Sequence, residues 1–309
     1  MYCETDDELV ELVERARKYT EDGKVADYIP ALGRAEKCDL SIALYYTDGR
    51  CFKAGDVDKL FTLQSVSKVL ALALAIMDNG EEEVFRKVGM EPTGDPFNSI
   101  AKLESQVPAK PLNPMINAGA LVVSNMIEGR STHDKLGRFL TLIHDLTNNT
   151  SIDVDHEVSD SEFETAHLNR ALCYYMKQHG LITGDVEDLI DLYTRQCAIK
   201  VSCLDLARIG MVLANKGRDP ETNRMIIPEG IATLVKTFMV TCGMYNASGE
   251  FAIRVGIPAK SGVSGGIIGL VPPSMGIGVY GPALNEKGNS IAGVKLLEML
   301  SQRYELSIF

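Results

Sequence analysis

The spacing of hydrophobic residues predicts a helix and a hairpin near the start of the chain. Apolar residues recur every three or four positions in residues 6–19, as on one face of an amphipathic helix. Residues 40–46 alternate weakly between apolar and polar and are rich in types that favour strands. Residues 47–50, with the order Thr-Asp-Gly-Arg, predict a turn into a second strand that starts near Cys51.

The centre of the chain is helical in pattern. Residues 61–78 are apolar on nearly all faces after Lys68, which predicts a buried helix that ends at Asn79-Gly80. Helical periodicity also dominates residues 81–215. The predicted helices in that region cover residues 116–127, 133–147, 161–179, 185–195 and 202–215.

The pattern changes from helices to strands at about residue 248. Segments separated by Gly and Pro turns predict strands at residues 250–258, 265–272 and 275–280, and residues 291–304 predict a closing helix. Strands from both ends of the chain are expected to form one antiparallel sheet flanked by helices, with the helical middle as a second lobe. The predicted fold class is α+β.

Composition narrows the class of protein. The chain has 309 residues, of which 45% are hydrophobic and 24% charged, as is ordinary for a globular protein. Its net charge of −11 comes from scattered acidic residues and argues against nucleic acid or an anionic membrane as the partner. The longest apolar stretch, residues 69–77, is too short to span a bilayer.

The cysteines and histidines indicate neither disulfides nor a metal site. The seven cysteines are odd in number and include no C-x-x-C pair, and residues 1–14 are acidic and do not resemble a signal segment. Reduced thiols that fill the core and a cytoplasmic location are therefore expected. The five histidines are dispersed without ligand-like spacing, so no metal site is expected.

The run Leu63 to Lys68 (L-Q-S-V-S-K) carries the strongest chemical signal. Ser65 and Lys68 are three residues apart, so on a helix they share one face and can hydrogen-bond. Ser65 would lie in the first turn, where backbone N–H groups favour developing negative charge. This S-x-x-K pattern is typical of acyl-transfer enzymes that use serine as nucleophile and lysine as base. The alternative is a core helix with an incidental Ser and Lys, although a buried lysine is costly without a task or a partner.

Two glycine-containing segments could complete such a site. Residues 260–266 (K-S-G-V-S-G-G) resemble a K-T-G box, and a backbone N–H there could join that of Ser65 in an oxyanion hole. The alternative is a glycine-rich turn with a solvated lysine. In residues 242–249, Tyr245 lies between glycines, where a nearby ammonium would lower its pKa and suit it to proton transfer. The alternative for this tyrosine is a packing role.

Three polar residues in the helical middle suit an amino-acid ligand. Asn117 precedes a run of small residues, where it could instead cap a helix. Glu162 and Asn169 are seven residues apart and would share one helix face. A carboxylate and an amide on one face suit the ammonium and carboxylate of an amino acid, and they equally suit solvent. The chain has no phosphate-binding G-x-x-x-x-G-K-[ST] loop.

Taken together, these segments resemble the serine-dependent glutaminases of the bacterial and mitochondrial type, from about residue 26 to residue 289. The segments that carry the resemblance are, in order, 27–30, 63–65, 91–94 with Phe97 and Asn98, 113–120, 161–162 with 169–170, Tyr193 with 196–197, 242–249, 258–266 and 288–290.

The resemblance implies hydrolysis of L-glutamine to L-glutamate and ammonia, without a cofactor, on a fold like that of serine β-lactamases and penicillin-binding proteins. It implies that Ser65 is the nucleophile and Lys68 its base, with Tyr28 and Tyr245 beside them. The backbone of Val263 would join the oxyanion hole. A homodimer or homotetramer is also implied. The positions that correspond to the family's glutamine-binding residues are Ser65, Asn117, Glu162, Asn169, Tyr193, Tyr245 and Val263.

No repeat and no flexible linker divides the chain, so a single domain over residues 1–309 is expected. Its sheet lobe would come from about 25–60 and 248–309, and its helical lobe from about 80–215. Three rival functions stay open at this point: a penicillin-interacting protein, although no S-D-N box is present, a non-catalytic amino-acid sensor, and a hydrolase of related amides. The length of the pocket would distinguish a hydrolase of related amides from a glutaminase.

Overall fold

The computed structural model describes residues 3–96, 98–104 and 109–309. Phe97, which belongs to one of the segments that carry the resemblance, lies outside the described residues. The described helices are α1 (Asp6–Arg17), α2 (Ser67–Asn79), α3 (Glu81–Lys87), α4 (Ile100–Glu104), α5 (Asn117–Met126), α6 (Thr132–Thr147), α7 (His156–Thr165), α8 (His167–Gln178), α9 (Val186–Cys197), α10 (Cys203–Ala214), α11 (Glu229–Cys242), α12 (Ser248–Arg254) and α13 (Ile291–Tyr304). The described strands are β1 (Ser41–Tyr46), β2 (Cys51–Gly55), β3 (Phe61–Thr62), β4 (Lys200–Val201), β5 (Ala259–Ser261), β6 (Gly266–Val271) and β7 (Met275–Tyr280).

Strands from the two ends of the chain form one antiparallel sheet. Its order is β2-β1-β7-β6-β5, so the N-terminal hairpin pairs with the C-terminal strands through β1 and β7. Ser41 lies opposite Gly55 on one side and opposite Tyr280 on the other. The hairpin, the mixed origin of the sheet and the α+β class predicted from the sequence are confirmed.

The two faces of the sheet pack against different helices. Ile42 and Leu44 of β1 lie in one apolar cluster with residues of α1 and α13. Ala43 and Tyr45 point to the opposite face and join the large cluster that contains α2, α5, α9 and α10. This alternation follows from the two-residue period of a strand, and it places the helical part of the chain on one side of the sheet.

Glycines allow α10 to lie directly on the backbone of β7. A Cβ atom on Gly276 would lie 1.9 Å from the carbonyl oxygen of Ala207, and one on Gly278 would lie 2.0 Å from that of Cys203. Both distances are far below van der Waals contact, so only glycine fits at these two positions. The close packing fixes the sheet relative to the helices that carry the candidate site.

A short two-stranded pairing corrects the predicted start of the buried helix. Phe61 and Thr62 form β3, which pairs antiparallel with β4, and α2 begins only at Ser67. A 3₁₀ turn from Gln64 to Val66 separates the two elements. The prediction of a helix from residue 61 is wrong because pairing with β4 extends the backbone before this turn.

Two further predicted elements are wrong. Residues 161–179 form two helices, α7 and α8, which meet at Ala166, where ψ of 34° leaves the helical range. Residues 250–258 contain helix α12 where a strand was predicted, and the strand there is β5, from residue 259. The Gly and Pro turns that separate this segment from the next favoured a strand, but Ile253 is 89% exposed and Glu250 pairs with Arg254 one helical turn away.

The cysteines differ in their burial. Cys38 and Cys51 are exposed, so core filling is the wrong interpretation for these two; the other five cysteines are buried, and all seven are free thiols. None of the helices in the described residues combines the length and the apolar character that a membrane crossing needs.

Gly278 offers a direct test of the contact between α10 and β7. We expect Gly278→Ala to lower the free energy of unfolding by about 2–3 kcal/mol, because the added methyl group meets backbone atoms that cannot rotate away. The matched control is Gly137→Ala, in the middle of α6, where an added Cβ has no described atom within 4 Å and where alanine should stabilise by about 0.5–1 kcal/mol. Denaturant unfolding measures both values, and equal stabilities of the two variants would contradict the close contact.

Candidate active site

A cavity of about 210 Å³ collects residues from distant parts of the chain. Seven of the nine predicted site residues line it: Tyr28, Ser65, Asn117, Glu162, Asn169, Tyr193 and Val263. The other two, Lys68 and Tyr245, are buried, and each contacts the side chain of Ser65. The structure therefore brings all nine residues to one place.

Ser65 lies in the 3₁₀ turn between β3 and α2. The residue before it, Gln64, has a φ of 47°, which is uncommon for a residue with a side chain. The hydroxyl of Ser67 donates to the Gln64 carbonyl at 2.7 Å and closes the turn. Ser65 is thus held immediately before the N-terminus of a buried helix, with its side chain at the cavity wall.

Lys68 lies one helical turn after Ser65, and its side chain is 1% exposed. Its Nζ donates to Ser65 Oγ at 3.0 Å and to Asn117 Oδ1 at 2.7 Å. Burial lowers the pKa of Lys68 to about 8, although Cys197 and Glu162 act to raise it. A substantial fraction of this amine is therefore neutral near physiological pH, and a neutral amine can accept a proton.

Tyr245 reaches the same serine from a strained turn. Its φ is 55°, and Ser248 holds the turn because its Oγ donates to the Tyr245 carbonyl at 2.8 Å and accepts from the Met244 N–H at 3.0 Å. Burial raises the pKa of Tyr245, and the hydrogen bond with Ser65 only partly opposes this. The lowered pKa expected for this tyrosine is therefore wrong, because burial outweighs its polar contacts.

Lys260 packs behind Tyr245. The side chain is completely buried, so the interpretation as a solvated lysine is wrong. Its Nζ lies 4.3 Å from the centre of the Tyr245 ring and donates to the Ser261 carbonyl at 2.6 Å. Burial and the charge of Lys68 lower the pKa of Lys260.

The glycine that follows Ser261 brings a second backbone segment against the 3₁₀ turn that contains Ser65. A Cβ atom on Gly262 would lie 2.7 Å from the Leu63 carbonyl oxygen and 3.5 Å from the Ser65 nitrogen. Glycine at this position therefore permits the close approach. The next residue, Val263, lines the cavity together with Ser65.

Glu162 supplies a buried carboxyl group to the cavity. Burial raises the pKa of Glu162 to about 7, and the hydrogen bond from Gln64 Nε2 at 3.1 Å and the charge of Lys68 oppose that rise. Such a carboxylate gains more than an exposed one from a cationic partner, because little water competes for it. The solvent-facing alternative for Glu162 is wrong, since it is 8% exposed.

Asn117 and Asn169 contact each other across two helices. Asn117 Nδ2 donates to Asn169 Oδ1 at 3.1 Å. Ile116 precedes α5 as its N-cap residue and Asn117 is the first residue of the helix, so the capping alternative for Asn117 is wrong. Glu162 lies on α7 and Asn169 on α8, so the prediction that they share one helix face is wrong. Both helices pack against α9, and both side chains line the cavity.

Two tyrosines complete the wall. Tyr28 is 56% exposed, while Tyr193 on α9 is 3% exposed and its pKa is raised by burial. The chain that follows Tyr28 is fixed to α7, because the Ala31 N–H donates to Ser161 Oγ at 3.3 Å. Tyr28 therefore forms a solvent-exposed part of the wall, and Tyr193 forms a buried part.

Four further polar residues line the cavity and were not predicted as site residues: Gln64, Asn98, Thr165 and Cys197. Gln64 stands directly before Ser65 in the quoted motif, and a polar residue at the start of an apolar segment was the signal that could have found it. Cys197 is the last residue of α9, and both Asn98 and Cys197 fall in segments that carry the family resemblance, whereas no sequence signal marks Thr165. Within residues 3–96, 98–104 and 109–309, no group of three or more His, Cys, Asp and Glu side chains could hold a metal ion.

Comparison with known proteins finds relatives along nearly the whole chain. A family model described as Glutaminase matches residues 23–309. The chain is 62% identical to a glutaminase of Shouchella clausii over 309 residues and 61% identical to glutaminase 2 of Bacillus subtilis over 309 residues, with full coverage of each protein.

Solved structures give the same result. A probable glutaminase from Bacillus subtilis, complexed with 6-diazo-5-oxo-L-norleucine, superposes with a TM-score of 0.91 at 41% identity, covering 100% of this chain and 99% of that one. A covalent complex between a Bacillus subtilis glutaminase and 5-oxo-L-norleucine, formed by reaction with the same diazo compound, gives a TM-score of 0.90 at 41% identity, with 98% and 99% coverage. The shared fold is β-lactamase-like. The chain belongs to the glutaminase family.

Proposed function

We propose that this glutaminase hydrolyses L-glutamine through a covalent γ-glutamyl ester on Ser65. The observation that carries the proposal is the 3.0 Å contact between Lys68 Nζ and Ser65 Oγ at the wall of the cavity. The Bacillus subtilis glutaminase in the covalent complex with 5-oxo-L-norleucine supports a nucleophilic mechanism for the family. Neither step below requires a cofactor.

The first step forms the ester and releases ammonia. Neutral Lys68 takes the proton of Ser65 Oγ, and Oγ attacks the side-chain amide carbon of glutamine. When the tetrahedral intermediate collapses, the C–N bond breaks and the leaving nitrogen receives a proton from Lys68 or Tyr245. Water then attacks the ester carbon, gives glutamate and returns the proton to Ser65. The raised pKa of Tyr245 suits it to donate a proton and not to start the reaction as a base.

Backbone N–H groups of Ser65 and Val263 would hold the oxyanion of the intermediate. Support comes from Gly262, which lets the segment of Val263 pack against the backbone of Ser65, and from the position of both residues at the cavity wall. Ser65 also lies two residues before the start of α2, near the helix N-terminus, where the helix dipole favours negative charge. Two donors in a closed site can lower the barrier by several kcal/mol, about 3 kcal/mol for each.

The α-amino and α-carboxylate groups of glutamine would be recognised by the remaining wall. Glu162 would pair with the α-ammonium, and this cation would in turn keep the buried carboxyl ionised. Asn117, Asn169 and Tyr193 offer donors and acceptors for the rest of the amino-acid group, with Tyr28 at the exposed side. A cavity of about 210 Å³ suits a single small amino acid.

The chain is proposed to act as one domain. The apolar cluster that contains α2, α5 and α9 also contains Ala43 and Tyr45 of the sheet, so the helical lobe (about 80–215) and the sheet lobe (about 25–60 and 248–309) share a core. The homodimer or homotetramer and the cytoplasmic location expected from the sequence stay predictions.

Removal of Ser65 or Lys68 tests the mechanism. We expect Ser65→Ala and Lys68→Met to lower kcat for ammonia release from L-glutamine by at least about a thousandfold, because each removes a group that acts on the reacting atoms. L-asparagine should be a poor substrate for the parent protein. Ammonia release measured with purified protein, beside unfolding curves for each variant, gives these values.

Lys135→Met is the matched control for Lys68→Met. Lys135 is a partly buried lysine whose pKa is also lowered by burial, and its Nζ donates to the Asn125 carbonyl at 2.9 Å, away from the cavity. The kcat of Lys135→Met should stay within about threefold of that of the parent protein. Substantial turnover by Ser65→Ala would refute the acyl-enzyme, and equal losses in both lysine variants would refute a specific role of Lys68.

Glu162→Gln should raise the stability of the protein at pH 8 and lower its activity. The pKa of Glu162 is about 7 in the folded protein against an ordinary 4.5, so its ionisation above pH 7 costs the folded state about 3 kcal/mol. We expect the variant to be more stable than the parent at pH 8, with the difference lost as the pH falls towards 4.5. Its kcat/KM for glutamine should fall by about a hundredfold or more, because the α-ammonium loses its partner.

The control for Glu162→Gln is Glu164→Gln, an exposed position on the same helix. This variant should change the unfolding free energy by no more than about 0.5 kcal/mol and should leave kcat/KM within about threefold of the parent. Denaturant unfolding at several pH values and steady-state kinetics measure the two effects. Near-parental kcat/KM in Glu162→Gln would rule out the recognition role, and lower stability at pH 8 would contradict the cost of burying the charge.

A further inference from the structure

The Asn117 side chain is engaged inside the protein through both of its polar atoms. Its Oδ1 accepts from Lys68 Nζ at 2.7 Å, and its Nδ2 donates to Asn169 Oδ1 at 3.1 Å. The loop before α5 is also fixed, because Asn113 Oδ1 accepts from the backbone N–H groups of the two residues that precede Asn117. The amide is therefore placed by the protein itself.

Each hydrogen bond of the Asn117 amide has a fixed donor and a fixed acceptor. An amide oxygen only accepts hydrogen bonds, so Lys68 must turn an N–H towards Asn117 whether the amine is charged or neutral. In the neutral amine this leaves the lone pair free to face another atom, and Ser65 Oγ lies 3.0 Å away. The oxygen of Asn169 decides which end of the Asn117 amide faces Lys68, because it requires the NH₂ end.

We infer that Asn117 is a positioning residue for the base: its amide oxygen turns the neutral amine of Lys68 so that the lone pair faces Ser65, and Asn169 holds that amide in the required orientation. This inference goes beyond the substrate-binding role implied for both asparagines, and it rests on the proposed role of Lys68 as base. Both asparagines also line the cavity. The same two side chains would therefore contact the substrate and orient the base.

The neutrality of Asn117 matters because the other groups around Lys68 titrate. Those that face it are Glu162 on α7, Cys197 on α9, Lys260 on β5 and, through Ser65, Tyr245. An amide at 2.7 Å gives Lys68 an acceptor without the full negative charge of a carboxylate. A carboxylate at the same place would favour the ammonium form, which cannot act as a base.

Asn117→Asp tests this inference by its effect on the pH profile. In the parent protein, kcat should rise with pH around 8, as Lys68 loses its proton. Asn117→Asp should move that rise to higher pH by at least about one unit, so that kcat is about tenfold or more below the parent near pH 7.5 and recovers towards pH 9.5. The rate of inactivation by 6-diazo-5-oxo-L-norleucine should follow the same shifted profile, because it reports the nucleophile without turnover. A purely structural role would lower activity equally at every pH.

Asn169→Leu gives a second test, because it should shift the pH profile in the opposite direction. Without the Asn169 oxygen the Asn117 amide can turn its NH₂ group towards Lys68, which disfavours the ammonium form, so the rise in kcat should move to lower pH while its maximum falls by about tenfold or more. Thermal unfolding checks that each variant is folded.

The outcomes of these tests separate the inference from the mechanism beneath it. Unchanged pH midpoints in both folded variants, with Ser65→Ala and Lys68→Met inactive, would overturn the positioning role alone. Turnover by Ser65→Ala would overturn the proposed mechanism itself.

Discussion

The burial of the Lys68 amine is the interaction on which the site depends. An ammonium group removed from water is costly unless hydrogen-bond acceptors replace the lost solvent. Here the acceptors are Ser65 Oγ at 3.0 Å and Asn117 Oδ1 at 2.7 Å, and both are neutral. Because neither compensates the charge fully, the pKa of Lys68 falls to about 8. The same burial that costs stability therefore makes the amine available as a base.

The fold maintains this arrangement by fixing the backbone around Ser65. The pairing of β3 with β4 and the positive φ of Gln64 set the turn before Ser65, and Gly262 lets the segment after β5 lie against it. Gly276 and Gly278 bring α10 onto the backbone of β7, which fixes the sheet relative to the helical cluster. Backbone contacts, which cannot rearrange as side chains do, thus set the distance between Ser65 and its surroundings.

Buried groups of opposite chemistry share the site. Glu162 has a raised pKa and Lys68 a lowered one, so burial pushes both towards neutrality. In the proposed mechanism, glutamine reverses this for Glu162 by bringing its own ammonium group, whereas Lys68 stays ready to accept a proton. In that mechanism, binding of the substrate relieves the cost of ionising Glu162 and leaves the amine of Lys68 neutral.

Much of the fold, and the residues that come together at the cavity, could be predicted from the sequence. The hairpin at Thr47 to Arg50 and the strands around residues 265–280 follow from local patterns, and three-residue spacing predicts the contact between Ser65 and Lys68. The break at Ala166 could not be predicted, because no Gly or Pro marks it and tertiary packing separates α7 from α8. The direction of the Tyr245 pKa also depends on burial, which motif spacing does not give.

The measurement that most directly tests the account is a titration of Lys68 by NMR, with lysine labelled with ¹³C at the ε carbon. The signal of Lys68 is the one that disappears in Lys68→Met. The account predicts that this signal titrates near pH 8 in the folded protein without ligand. Titration near the ordinary lysine value of 10.5 would contradict it, because a lysine that is fully charged at physiological pH cannot serve as the base.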